Sequence, residues 1–209
     1  MKTIYIESNI RQHPRTLQLL ERIGSRSEVI ECDHYSEVFN PKGQNFRIQK
    51  QEPALIIAEK KGDLVLKTPE GFGIGGEQNY YFSHMLNCLY DCRYCFLQGM
   101  YQSANYVLFV NYEDFKDAIA KTAKAHKQPV YFFSGYDCDS LAYEPMTQFV
   151  HEFIPFFANH ENAILELRTK STNIKPLLAH DVIPNCIIAF SFTPKNISIQ
   201  VEHKVPKLA

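Results

Sequence analysis

The sequence predicts an α/β protein: a small α/β layer over residues 1–78, then a partial (β/α) barrel of TIM type over residues 79–209. Three observations point there. The first 60 residues read strand, helix, strand, strand; a regular alternation of strands and helices begins near Tyr80; and three cysteines crowd the loop after the first strand of that alternation. Successive strand–loop–helix units imply parallel strands joined by right-handed crossovers.

Each element has its own signal. TIYIE, Thr3–Glu7, is a β-branched and aromatic run, and EVIEC, Glu28–Cys32, is a second; both read as strands. Between them Leu17, Leu20 and Ile23 recur at helical spacing over residues 13–23. A polar segment through Gly43 and Asn45 leads to a third strand over residues 54–59. Next comes TPEGFGIGGEQNYYFSH, whose glycines are followed by a strand-like run rather than a helix. A dinucleotide fingerprint needs its glycines between a strand and a helix, so this stretch reads as a tightly turned or flexible connector.

The alternation then runs: strand 80–87, the cysteine loop, helix 112–126, strand Val130–Phe133, helix 146–158, strand 164–168, helix 174–179 and strand 186–191. Asn111 is placed to cap its helix, with Glu113 and Asp114 in the first turn where carboxylates favour the helix dipole. NYVLFVN, residues 105–111, interrupts the count as an extra extended segment. Cys32 and Cys186 fall in strands and are expected in the core. Strand 186–191 is expected at a sheet edge, and the chain reads as one shortened at its C-terminal end.

Composition limits function. With 209 residues, 45% hydrophobic and 22% charged, the chain can build a real core, and a net charge of −1 argues against a bulk polyanion binder. No apolar run approaches the ~20 residues of a membrane helix and no signal peptide precedes the first strand. A cytoplasmic location with reduced thiols follows, where clustered cysteines more often hold metal than form disulfides.

NCLYDCRYCFLQGMY places Cys88, Cys92 and Cys95 in a C-x₃-C-x₂-C run with no fourth cysteine nearby. Three thiolates can bind three irons of a cubane and leave the fourth iron open to a non-protein ligand. Two other readings stand beside this one. A zinc site could take His84 as its fourth ligand, since structural zinc is closed by four. The cysteines could also be unliganded core thiols.

C-x₃-C-x₂-C followed by an aromatic residue, here Phe96, resembles the cluster motif of radical S-adenosylmethionine (SAM) enzymes. Tyr94-Cys95-Phe96-Leu97-Gln98, RTKS from Arg168 and AFSFTP from Ala189 resemble segments of the spore photoproduct lyase family, and the likeness covers nearly the whole chain. The resemblance implies a [4Fe–4S] cluster on Cys88, Cys92 and Cys95, SAM on its open iron, and a 5′-deoxyadenosyl radical that takes hydrogen from a thymine photolesion in DNA. It implies an electron donor such as flavodoxin or ferredoxin, SAM contacts from Lys170 and Ser191, and a relay role for Tyr94. The family's second tyrosine after the third cysteine is Phe96 here, which cannot pass a hydrogen atom. Its cysteine hydrogen donor corresponds either to Cys138 by distance or to Tyr136 if Asp139 matches the family's aspartate.

Other residues carry paired readings. Asp137 and Asp139 could receive the SAM ammonium group or cap their loop. Arg168 could meet a ligand or a buried partner. Lys116, Lys121, Lys124 and Lys127 could meet DNA phosphates or be a solvated helix face. The alternative to a lyase is a zinc-binding interaction module or an inactive fragment of such an enzyme.

Overall fold

The computed structural model describes residues 1–39, 42 and 44–207; the turn expected at Gly43 lies outside them. The opening follows the hydrophobic pattern. Strands β1 (Thr3–Glu7) and β2 (Glu28–Cys32) pair in parallel, with α1 (Pro14–Ile23) crossing between them. His13 caps α1 by accepting the Arg15 N–H at 3.2 Å, and Pro14 sits where a helix needs no N–H. Two single turns, α2 (Tyr35–Val38) and α3 (Phe46–Gln49), lead to β3 (Leu55–Ala58), which is buried throughout and pairs with β1. The buried carboxylate of Glu7 accepts the N–H groups of Tyr35 and Glu59, tying the ends of this layer together.

The glycine-rich stretch is the loop of an antiparallel hairpin between β4 (Leu66–Lys67) and β5 (Gln78–Tyr81). The single strand expected over 80–87 is broken. After β5 the chain bends and resumes as β6 (Met85–Leu86) in a different sheet. The bend is fixed by its hydrogen bonds: the Phe82 N–H donates to Phe133 O at 3.1 Å, while His84 O accepts the Phe109 N–H at 2.9 Å. Both Phe82 and His84 are buried there.

The cysteine run contains β7 (Asp91–Cys92) and α4 (Leu97–Met100). The interrupting segment is β8 (Tyr106–Phe109), fully buried, parallel to β3 and antiparallel to β6. It completes the first sheet, ordered β2-β1-β3-β8-β6. Helix α5 (Tyr112–Lys124) follows, but Asn111 does not cap it. Its amide instead pairs with Lys60, accepting the N–H and donating to the carbonyl, each at 2.9 Å.

After β9 (Val130–Phe133), the helix expected over 146–158 is two helices, α6 (Glu144–Thr147) and α7 (Phe149–Ala158). Gln148 breaks them at φ 50, and the buried Glu144 carboxylate accepts the Val150 N–H of the new first turn at 3.0 Å. Strand β10 (Ala163–Thr169) follows. The helix expected over 174–179 shrinks to one tight turn, Leu177–Ala179, because Pro176 lacks a donor and disfavours helical backbone before it. Strand β11 (Cys186–Phe190), α8 (Lys195–Val201) and β12 (Glu202–His203) end the described chain, and β12 pairs antiparallel with β7.

The second sheet is ordered β11-β10-β9-β5-β4, parallel from β11 to β5. Both sheets are mixed, and neither closes into a barrel among the described residues. Strand β11 is an edge, as expected, with Ile187, Ile188 and Phe190 exposed. Cys32 and Cys186 lie in edge strands and are half-buried rather than in the core. The main core packs Phe82, Phe149 and Phe153 between α5, α7 and the sheets, with Phe149 stacked on Phe153 at 4.3 Å; removing one such ring typically costs ~3–5 kcal/mol. Among the described residues no helix is long and apolar enough to cross a membrane.

Candidate functional site

Parallel strands present their C-terminal ends on one rim. The segments after β9, β10 and β11 therefore meet the cysteine run, although they lie far apart in sequence. Together they line a cleft of about 170 Å³ whose walls include Cys88, Cys92, Cys95, Tyr94, Cys138 and Lys170, with Asp139 and Ser191 beside them.

The cysteine run starts at Asn87, in the left-handed region at φ 73. Its amide donates to Ser103 O and Asn105 O at 2.6 and 3.0 Å and accepts the Cys88 N–H, so the loop leaves β6 in a fixed direction. The Tyr90 N–H points at Cys88 Sγ, 3.4 Å away. Such a donor suits a thiolate. Burial pushes the Cys88 thiol up to about 12 and raises Cys92. All three cysteines line one cleft, yet among the described residues no group of three or more His, Cys, Asp or Glu is set to hold a single metal ion. The convergence expected from the motif is thus one of shared cleft walls. A multi-iron cluster is wider than one ion, and three soft thiol donors around a common space are a chemically suitable set for it.

His84 does not join them. It is fully buried with its ring 4.3 Å from Phe149, and its Nδ1 has no hydrogen-bond partner. Burial holds its imidazole down at about 3, and therefore neutral.

The loop 134–140 is hooked onto β10. Ser134 Oγ donates to Glu166 O at 2.9 Å and lies 2.8 Å from Ser140 Oγ. Gly135 permits this approach, since a Cβ there would sit 2.9 Å from both Arg168 O and Ser140 Oγ. Asp139 is the organiser of the loop. One carboxylate oxygen accepts from the Leu141 and Ala142 N–H groups and from Thr169 Oγ1; the other accepts the Lys170 N–H at 2.6 Å. Burial still raises its carboxyl above the usual range despite these donors. Asp137 turns away from the cleft into the interior, where Ser83 Oγ donates to it. Cys138 is buried at the cleft wall with its thiol directed at Ser134 O, 3.7 Å away, and burial raises it well above the ordinary value, so it keeps its hydrogen.

Behind Lys170 and Tyr94 stands a cluster that sequence reasoning missed. Glu202, the first residue of β12, is buried against Lys170 at 2.8 Å, with side chains 3% and 15% exposed. It also accepts from the Tyr94 hydroxyl and from Thr193 Oγ1. Lys170 Nζ further donates to Ser191 O at 2.9 Å. Burial opposes the charge on Glu202, but these donors outweigh it and hold the carboxyl at about 2. For Lys170, burial pushes the ammonium down and the Glu202 contact more than restores it. The one signal in the sequence was indirect: a lysine expected at a buried rim requires a countercharge.

Arg168 pairs at 2.6 Å with buried Glu166 while remaining 44% exposed on the cleft wall. Of the basic helix residues, Lys116 pairs with Glu152 at 2.7 Å, and Lys121, Lys124 and Lys127 are exposed.

The profile of the spore photoproduct lyase family matches residues 2–209. Among solved structures, a spore photoproduct lyase complexed with dinucleoside spore photoproduct superposes with a TM-score of 0.84 at 18% identity. A tyrosine-to-phenylalanine variant of a spore photoproduct lyase gives 0.84 at 19%, and a double variant with bound AdoMet and dinucleoside spore photoproduct gives 0.81 at 18%. Each alignment covers 99% of this chain and 60% of the other, so the chain spans about 60% of the length of those structures. A search of curated proteins finds no match.

Proposed function

Since the chain belongs to the spore photoproduct lyase family, we propose that it is a radical SAM enzyme repairing a thymine photolesion in DNA. The observation that carries the reading is the single cleft bringing Cys88, Cys92 and Cys95 together with Lys170, Ser191 and Cys138. In this reading the parallel part of the second sheet is a partial barrel. Residues 1–78 are its supporting layer, and residues 79–209 carry the reacting groups.

Cys88, Cys92 and Cys95 would hold a [4Fe–4S] cluster, and SAM would bind beside it in the same cleft. When bound, the cluster supplies the single electron that cleaves SAM to a 5′-deoxyadenosyl radical. The chain's own residues do the rest. Lys170 offers a cation and Ser191 a hydroxyl at the SAM side of the cleft. Asp139 acts through the loop, since its two oxygens already accept four donors and one of these is the Lys170 N–H. Asp137 faces Ser83 rather than the cleft, so its part is to hold the loop.

Hydrogen return falls to Cys138 and Tyr94. Cys138 keeps a neutral S–H in a water-poor wall. Tyr94 has its hydroxyl held by Glu202, and the adjacent Phe96 has no hydrogen to pass. Lys121, Lys124 and Lys127 suit a DNA backbone, and the exposed Met100 beside the cysteine run suits docking of a flavodoxin or ferredoxin. Six cysteines without a disulfide are consistent with a reducing, cytoplasmic setting. The test is anaerobic reconstitution with iron and sulfide, then reduction with SAM in the presence of a DNA duplex carrying spore photoproduct. Release of 5′-deoxyadenosine with restoration of thymines supports the reading; a reconstituted protein that cleaves no SAM refutes it.

A further inference from the structure

The glycine-rich hairpin has no part in the chemistry above, yet it is pressed onto the sheet face that leads into the cleft. Gly76 lies directly on the Tyr131 ring, where a Cβ would come within 2.1 Å of it. The Asn79 amide donates to Gly76 O at 2.6 Å, and Thr68 Oγ1 donates to Phe72 O at 3.0 Å. The glycines let the loop lie flat, and its fixed turn delivers Phe72 to the rim.

There Phe72 meets Phe133 at 5.1 Å and Tyr136 at 5.3 Å, edge-on in both cases. Tyr136 is stacked on Tyr81 at 4.2 Å with their planes 25° apart. Phe96, from the cysteine run, approaches Tyr136 at 5.9 Å. Tyr136 and Phe96 both line the cleft, and Phe72 and Phe96 are 36% and 57% exposed. Three aromatic rings from three separate segments thus form one partly wet wall beside the cysteines.

We infer that Phe72, Tyr136 and Phe96 form the wall on which a pyrimidine ring of the substrate stacks, which makes the hairpin a substrate-positioning element. This rests on the function proposed above and adds where the base lies. Aromatic faces bind any base by stacking and do not read its edge, so the wall holds and orients the ring. The adenine of SAM is the competing flat ring, and the strand order argues against it. Lys170 and Ser191 follow β10 and β11, whereas Tyr136 follows β9 and stacks on Tyr81 of β5. Adjacent strands lie ~4.8 Å apart, which places the aromatic wall to one side of the SAM contacts. Arg168, anchored by Glu166 on β10, the strand next to β9, offers a cation to the linking phosphate.

Calorimetric titration of the reconstituted protein with the dinucleotide TpT, and separately with SAM, tests this on Tyr136→Leu, Phe72→Leu and Tyr136→Phe. The leucine variants should bind TpT about tenfold more weakly, Tyr136→Phe within twofold of the parent, and all three should bind SAM as the parent does. Thermal unfolding of each variant verifies the fold, and Phe72 provides an arm on the hairpin, a segment separate in sequence from the loop that carries Tyr136 although the two rings touch. Parent-like TpT binding by both leucine variants overturns the inference. So does a matching loss of SAM affinity, which would assign the wall to adenine, or an equal loss in Tyr136→Phe, which would assign the effect to the hydroxyl. If the parent itself neither cleaves SAM nor binds TpT, the proposed function fails first.

Discussion

Replacing Glu202 with glutamine removes the charge that pairs with Lys170 and leaves an oxygen for Tyr94 and Thr193 to donate to. Lys170 then keeps its ammonium at a buried rim without a countercharge. At 2.8 Å and an effective dielectric of 20, the gross attraction of the pair is ~6 kcal/mol, much of it offset by desolvation. Removing one partner of a buried pair costs ~3–5 kcal/mol. Lys170 is 15% exposed, and glutamine keeps two hydrogen bonds, so the expected loss is nearer ~2 kcal/mol. For a chain of this size that is a fall of about 6 °C in the unfolding midpoint. The assay is thermal and urea unfolding of Glu202→Gln, Lys170→Met and the double variant. Because the two side chains touch, the double variant should be less destabilised than the sum of the singles by about 2 kcal/mol. An unshifted midpoint in Glu202→Gln, or strict additivity in the cycle, would refute the buried-pair reasoning.

Three further outcomes follow from the same structure. His84 titrates at about 3 when folded and near ~6.5 when unfolded, so the unfolded chain takes the proton first. Stability should therefore fall as pH drops below 6.5, by about 2 kcal/mol at pH 5, and urea midpoints of His84→Phe should lack that part of the acid limb. Glu144 is raised to about 7, so its contribution is fullest below the unfolded value and is lost as pH rises through 7. Glu144→Gln should gain stability over the parent at pH 8 and not at pH 4.5, read from the same titrations. Gly135→Ala forces a Cβ to within 2.9 Å of backbone Arg168 O and should cost ~1–3 kcal/mol, visible as a lower urea midpoint.

Much of this architecture was legible in the residues, and the misses have identifiable causes. TIYIE, EVIEC and VYFF announced their strands because β-branched and aromatic runs leave few alternatives, and three became elements with the expected bounds. The break at 82–84 was not legible: YYFSHMLN reads as continuous strand, and its bend depends on the Phe133 carbonyl, which accepts, and the Phe109 N–H, which donates, both far away in sequence. Gln148 breaks a helix for a similar reason, the buried Glu144 carboxylate capping the next one. In the site, the three cysteines declared themselves by spacing alone. Asp139 could be proposed but not its role, because four donors converge on it only after β10 and the loop come together. Glu202 had no local motif at all; its place depends on the pairing of β12 with β7.

The central claim is that three cysteines hold an iron–sulfur cluster with one iron open to SAM. It is tested most directly by the electron paramagnetic resonance spectrum of the reduced, reconstituted protein before and after SAM is added, beside the iron content of single alanine variants at Cys88, Cys92 and Cys95. Close to four irons per chain are expected in the parent, with a spectrum altered by SAM and loss of the intact cluster in each variant. Bound zinc in place of iron, a spectrum indifferent to SAM, or a full cluster in any one of the variants would contradict it.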